Sequence, residues 1–139
     1  TDGVASNNRL DLIREMDICA KVQKIQSLDP VTVPANKIIK MATQDGASVL
    51  GLGETTGQLA VGRKADIILL KRDTAHLQPV HGSGLPIYAA QGADVQTVLI
   101  NGKVVMQDRE ILSFDLPETL KQVRHLADQI KEDQVKVKS

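Results

Sequence analysis

The residues able to do chemistry are few and widely spaced along these 139 residues. His76, His81 and His125 form no His-x-His pair and no i, i+4 pair on a helix, so metal-site spacing is absent. His125 stands beside Arg124 in a helical segment and reads as solvated, while His76 and His81 fall in a loop and suit structural or surface roles. Ser83, between Gly82 and Gly84 in "HGSGLP", has the glycine flanks of a nucleophile elbow but not its strand-to-helix context. Gly51-x-Gly53 precedes β-prone sequence rather than a helix, which argues against a phosphate-binding loop. Asp66, in "GRKAD", is better suited to bonding backbone amides than to catalysis. The single cysteine, Cys19, sits in an apolar helical pattern and reads as a core residue. That leaves Asp2, and an Asp-Gly pair is by itself only a turn signal.

Composition narrows the function classes. Hydrophobic residues make up 42% and charged residues 24%, the balance of a soluble globular chain. Seventeen basic residues offset seventeen acidic ones, so nothing electrostatic favours nucleic acid or an anionic membrane. Tyr88 and Phe114 are the only aromatic residues, which argues against base stacking and leaves the core to Leu, Ile, Val and Ala. One cysteine allows no intrachain disulfide and suits a reducing compartment, and no apolar run approaches the ~20 residues of a membrane span. A cytoplasmic protein is the expectation.

The elements that must position Asp2 follow from periodicity. "LDLIREMDICAKVQKIQ" spaces Leu10, Ile13, Met16, Ala20 and Ile25 as a helix, with Asn7 or Asn8 as its expected N-cap. A second helix is predicted from Pro34, at its first position, to about Val49, ended by Gly51 and Gly53. "GETTGQLAVGRKADIILLKRD" holds short β-prone pieces around Gly57 and Gly62, and residues 65–70 read as a strand buried on both faces. "DVQTVLINGKVVMQDREIL" predicts a hairpin on Asn101-Gly102. Between these pieces "AHLQPVHGSGLPIYAAQG" reads as a loop. A final helix opens at "SFDLPETL", with Asp115 and Glu118 as a capping box and Leu120, Val123, Ala127 and Ile130 on one face; the charged tail from Lys131 is expected to fray. The outcome is two helices, a small, mostly antiparallel sheet of about four strands with open edges, and a last helix.

Several of these segments resemble one known family in the same order. "TDGVASNNRLDLIREM" resembles the end of the eighth barrel strand in amidohydrolase-superfamily deaminases, above all the 5-methylthioadenosine/S-adenosylhomocysteine deaminase group and the triazine chlorohydrolases. "KIIKMATQDGASVLGLGETTGQLAVGRKADIILLK" resembles the family's next helix, glycine-marked hairpin and "G-x-x-A-D-I" strand. "HLQPVHGSGLPIYAAQGADVQTVLINGKVVMQD" resembles its closing β-segment. The resemblance spans nearly the whole chain and implies an α/β fold. In that fold residues 1–53 end a (β/α)₈ barrel, 54–112 form the C-terminal part of a composite β-sandwich, and 113–139 form the C-terminal helix and tail.

The resemblance also implies the chemistry. Asp2 would be both a metal ligand and a catalytic residue, beside histidines of earlier strands around a divalent metal, zinc or iron. Such a metal lowers the pKa of a bound water toward ~7. Asp2 would take the water's proton as the purine C6 is attacked, and pass it to the departing ammonia. Ser6 is a candidate substrate contact, while Ser6, Asn7 and Asn8 chiefly suit turn and cap geometry. The family's His-x-His pair, later histidines and catalytic glutamate have no counterpart here. The chain alone is therefore expected to bind no metal and to be inactive, its partners being an N-terminal barrel portion and a small-molecule substrate. Guanine or triazine substrates are alternatives. So is a non-catalytic module forming a homo-oligomer through its open sheet edges.

Overall fold

The structure is a computed structural model describing all residues except His81, Ser83 and Ser139; for Leu85 and residues 134–138 it describes the backbone alone. Two residues weighed in the sequence, His81 and Ser83, thus lie outside the described residues.

Helix α1 spans Leu12–Ser27 and is capped by Asp11, not by Asn7 or Asn8. Asp11 has extended backbone angles, and its Oδ1 accepts from the backbone N–H groups of Ile13 (3.1 Å) and Arg14 (3.3 Å). This is how an N-cap relieves the unpaired donors of a first turn. The predicted periodic pattern is only partly buried: Ile13 and Ala20 are enclosed, whereas Leu10 precedes the helix and Ile25 faces outward. Beyond α1, the Lys24 ammonium donates to the carbonyls of Pro30 (2.9 Å) and Thr32 (2.7 Å) and closes the loop to the next helix.

The second helical run is continuous in sequence but not in geometry. Helix α2 (Ala35–Lys40) passes into a π-helical turn, Met41–Asp45, and then into α3 (Gly46–Val49). Pro34 is its N-cap rather than its first residue; its carbonyl accepts from Lys37 and Ile38. Gly51, at φ +72, follows the run in the left-handed region, as the glycine stop predicts.

No strand forms between Gly53 and Asp66, against the β-prone reading. Polar links shape this segment instead: the Arg63 guanidinium donates to the Gly53 carbonyl, and Lys64 N–H to Thr55 O. Gly57, at φ +89, lies so close to the π-turn that a Cβ would sit 2.8 Å from Ala47 Cβ and 2.9 Å from Thr43 O.

The sheet has four antiparallel strands in the order β1 (Ile67–Leu70), β2 (Val95–Ile100), β3 (Lys103–Gln107) and β4 (Glu110–Ile111). Asn101 (φ 49) and Gly102 (φ 78) form the β2–β3 turn with both angles positive, as Asn-Gly predicts. A second tight turn, Asp108-Arg109, joins β3 to β4, also with both angles positive. There Gln96 Nε2 donates to Asp108 Oδ1 (2.7 Å), and the Arg109 guanidinium donates to the Val95 carbonyl (3.1 Å). These bonds offset the cost of left-handed non-glycine residues. β1 is not buried on both faces: Ile68 and Leu69 are 51% and 52% exposed. It is an edge strand paired only with β2, and its register shifts between Leu69 and Leu70, which breaks the regular alternation of faces.

Residues 75–92 are not a plain loop. They contain a 3₁₀ turn (Ala75–Leu77), helix α4 (Leu85–Tyr88) and the start of a second 3₁₀ turn (Gly92–Asp94). α4 places Ile87 in a buried cluster with Ala20 of α1 and Ile38 of α2, while Ile13, Leu77 and Ala90 form a second cluster. Met16 packs against both clusters, and Leu70 and Val95 bring the sheet to the second. Each fully buried Ile or Leu contributes about 1.5–3 kcal/mol, which is how a core without aromatic side chains holds together. Helix α5 (Leu116–Lys138) is capped by Asp115, whose Oδ1 accepts from Glu118 N–H at 2.9 Å, one half of the predicted capping box, while the Glu118 carboxylate meets Gln122 and Lys121. Its backbone is helical through the charged tail, and its apolar residues Leu120, Val123 and Ile130 stay exposed.

Asp66 joins three parts of this fold. Its Oδ1 accepts from Asn101 N–H (2.6 Å) in the hairpin turn and its Oδ2 from the Thr56 hydroxyl (2.7 Å), confirming its predicted role as a backbone anchor. The Asn101 N–H first, then the Thr56 hydroxyl, holds its carboxyl below the usual range. A carboxyl depressed in the folded state contributes stability above its unfolded pKa of ~3.9 and loses it as pH falls through the folded value. Asp66→Asn should therefore lower the urea midpoint at pH 6 and narrow its difference from the parent at pH 3. Gly57→Ala should cost about 1–3 kcal/mol through steric overlap and a disfavoured φ, read in the same denaturation assay.

Candidate functional site

The site starts from an uncommon backbone conformation. Asp2 has φ 56, a left-handed value that few residues other than Gly, Asn and Asp tolerate. Its Oδ1 accepts the N–H of Gly3 at 2.7 Å. The carbonyl of Gly3 in turn accepts from Ser6 N–H (3.0 Å) and Asn7 N–H (2.9 Å), so residues 3–7 wind into one compact turn. Asp2 and Ser6 are both exposed. Oδ2 of Asp2 and the Ser6 hydroxyl take no hydrogen bond among the described residues.

Asn7 links this turn to the helix. Its Oδ1 accepts from Arg9 N–H (3.2 Å), and its Nδ2 donates to Glu15 Oε1 (3.1 Å) in the first turn of α1. The helix start is itself fixed from the far end of the sequence. Asp11 Oδ2 accepts the Gly92 N–H at 3.0 Å, where a Cβ on residue 92 would lie 3.0 Å from that same oxygen. The Gly92 carbonyl accepts from the Arg109 guanidinium at 3.3 Å. A carboxylate serving both a helix cap and a distant amide ties the loop that presents Asp2 to the base of the sheet.

Below this connection Asp94 is buried and accepts from Gln91 N–H (2.8 Å), with His76 Nε2 at 2.9 Å from the same Oδ2. Burial pushes the Asp94 carboxyl up, but the His76 hydrogen bond, the Gln91 N–H and the His76 charge outweigh it and hold the carboxyl below the usual range. His76 is thus a structural partner, as its loop position suggested. His125 contacts Gln129 on exposed α5 (3.1 Å), and Cys19 packs against the Ala20–Ile38–Ile87 cluster. Among the described residues neither joins a group that could hold a metal ion.

Among the described residues no three of His, Cys, Asp and Glu come together in a way that could hold a metal ion. The chemistry of Asp2 nonetheless fits a share in one. It is an exposed carboxylate with one oxygen oriented by an amide and the other open, a hard donor suited to a divalent cation. Among the described residues no side-chain hydrogen bond joins Ser6, Asn7 or Asn8 to Asp2. Asp11 and Gly92 escaped the sequence reading, although an aspartate immediately before "LIREM" is a cap signal. Nothing local announces that its second oxygen reaches residue 92. Among the described residues, no helix is long and apolar enough to cross a membrane.

With this geometry in view, the similarities to known proteins are specific. The model of the amidohydrolase family matches residues 1–105. The chain is 48% identical, over 95% of its length, to a 5-methylthioadenosine/S-adenosylhomocysteine deaminase of Syntrophus aciditrophicus, and covers 30% of that protein. It superposes with a TM-score of 0.89 and 32% identity on a crystal structure of an adenosine deaminase from Xanthomonas campestris with bound zinc, covering 94% of this chain and 30% of that one. An atrazine chlorohydrolase from Arthrobacter aurescens, complexed with zinc, matches at TM-score 0.75 and 25% identity over 89% of this chain and 28% of that one. The chain thus spans less than a third of the length of these relatives. The matched segment includes the Asp2 turn, the helical layer and the hairpin as far as residue 105, and the chain belongs to the amidohydrolase family.

Proposed function

We propose that this chain is the C-terminal share of a metal-dependent hydrolase that deaminates an adenosine-type purine nucleoside, S-adenosylhomocysteine or 5-methylthioadenosine. The observation that carries this reading is the 48% identity, across nearly all of the chain, to a deaminase of those substrates. The zinc-bound adenosine deaminase, superposing at TM-score 0.89, supports the same class of substrate. The chlorohydrolase likeness, at 25% identity, favours a triazine substrate as the second reading. Residues 1–53 then close the barrel, 54–112 contribute to the sandwich, and 113–139 form the terminal helix and tail.

In this reading Asp2 donates one carboxylate oxygen to a divalent metal, zinc in preference to iron, whose other ligands lie outside this chain. When bound, such a metal supplies a water acidic enough to lose a proton near neutral pH. The work of Asp2 is proton handling. Its carboxylate accepts the proton as a C–O bond forms at the purine C6, and returns it to the amino group as the C–N bond breaks and ammonia leaves. The Gly3 N–H on Oδ1 orients the carboxylate. Ser6, exposed in the same turn, is the candidate substrate contact on this chain.

The chain alone is inactive in this reading, because the described residues gather no metal-binding group. Its exposed surfaces fit assembly with the rest of a longer protein. Ile68 and Leu69 flank the free edge of β1, and an open apolar cavity of about 590 Å³ lies between β1, Leu77 and Pro86. The purified 139-residue chain with stoichiometric zinc should release no ammonia from S-adenosylhomocysteine; measurable turnover would sink the proposal. The enzyme restored by joining the missing portion should deaminate S-adenosylhomocysteine, and Asp2→Asn should lower its kcat about 10²–10⁴-fold. Efficient triazine hydrolysis with no nucleoside deamination would decide for the second reading.

A further inference from the structure

We infer that Asn7 is a positioning residue whose side chain holds the Asp2 turn against α1. Its catalytic meaning rests on the reading of Asp2 above, but the contact itself is independent of it. Asp2 lies at φ 56, a region that Asp tolerates with a local hydrogen bond such as the one its Oδ1 takes from Gly3 N–H, and its direction relative to α1 is set by what holds the following turn. The turn that follows is held internally by two backbone bonds to the Gly3 carbonyl, one of them from the N–H of Asn7. Outward from the turn, among the described residues, the side-chain bond that reaches an element of the fold is Asn7 Nδ2 to Glu15 Oε1.

The amide suits this place because it offers both polarities. Asn7 accepts from Arg9 N–H with its Oδ1 while donating to a carboxylate with its Nδ2. A bond from an amide to a carboxylate is charge-assisted and stronger than a neutral one. Asn7 is also half-buried, whereas Asp2, Gly3 and Ser6 are exposed, so the contact is the best-shielded point of the turn. Glu15 stands in the first turn of α1, directly above the Asp11 cap that Gly92 anchors. The path from the sheet to the Asp2 carboxylate therefore runs through Gly92, Asp11, α1, Glu15 and Asn7.

The test is nitrogen-15 relaxation of the 139-residue chain and its variants. The parent should give backbone order parameters near ~0.85 at Gly3 and Ser6, and Asn7→Ala should drop them below ~0.6. Glu15→Ala should do the same from the other side of the contact. Unchanged shifts of the β2 and β3 amides would show that each variant is folded. Asn7→Asp alone sets two carboxylates against each other and should also loosen the turn. Asn7→Asp combined with Glu15→Gln exchanges donor and acceptor and should restore the parental values, a rescue that a general packing role would not produce. An ordered turn in Asn7→Ala, or no recovery in the exchanged pair, would overturn the inference. In the restored enzyme Asn7→Ala should lower kcat about 10–10²-fold at unchanged KM. If Asp2→Asn leaves that enzyme active, the metal-ligand reading fails, while the relaxation data still decide the role of Asn7.

Discussion

The carboxylate of Asp11 joins the helical layer to the sheet, and the geometry of the N-terminal turn depends on it. One oxygen completes the first turn of α1; the other holds the amide of Gly92, eighty-one residues later in the chain. Short-range capping and long-range tethering draw on the same group, so the orientation of α1 and the start of β2 are set together. Gly92 is the complementary half of this constraint, since a side chain there would press on the carboxylate that it must approach. Arg109 extends the connection by bonding the carbonyl of Gly92 from the β3–β4 turn. A helix start, a 3₁₀ turn and a hairpin end thus meet at one point of charge.

How much of this was legible in the sequence depends on the range of the interaction responsible. The Asn101-Gly102 turn, the Asp115 cap and the glycine stop at Gly51 are decided within three or four residues, and all three stand as read. Asp66 was legible as an amide anchor, but its partners, Thr56 and the Asn101 amide, come from opposite sides of the chain. The segment around Gly57 and Gly62 misled because β-propensity reflects packing on a pleated surface, and here side chains and backbone close a loop instead. The β1 run misled for a related reason: an apolar sequence states a need for cover, not its delivery. Of the candidate site, the residue type and the turn of Asp2 could be read. Its role came only from a resemblance, because a single carboxylate carries no ligand spacing of its own.

The distribution of apolar surface agrees with the share of the relatives' length that the chain spans. Its two enclosed clusters are small and contain no aromatic ring, while Ile68, Leu69 and the apolar residues of α5 face outward. Burial rises with the size of a protein, and small units keep a larger fraction of their apolar atoms at the surface. Within the clusters the branched aliphatic side chains of Ile38, Leu77 and Ile87 fill the space, and Met16 bridges the two groups. The helical layer owes its cohesion to these few contacts, and the polar network around Asp11 and Asp94 supplies direction rather than bulk.

The π-helical turn at Met41–Asp45 has a consequence for how the chain tolerates changes in length. In an uninterrupted α-helix, positions nine residues apart lie about half a turn from each other around the axis. Ile38 and Ala47 are nine residues apart; Ile38 joins the α1–α4 cluster, and Ala47 meets the close approach of Gly57. The wider turn absorbs roughly one residue and rotates α3 by about a quarter of a circle relative to regular winding. Loss of a single residue between 41 and 45 would leave a better helix by local criteria. It would also leave Ala47 facing Gly57 much as it does now, because the wider turn has already taken up the residue that is lost. This stretch of the helix is therefore where the chain can change length by one residue without turning α3.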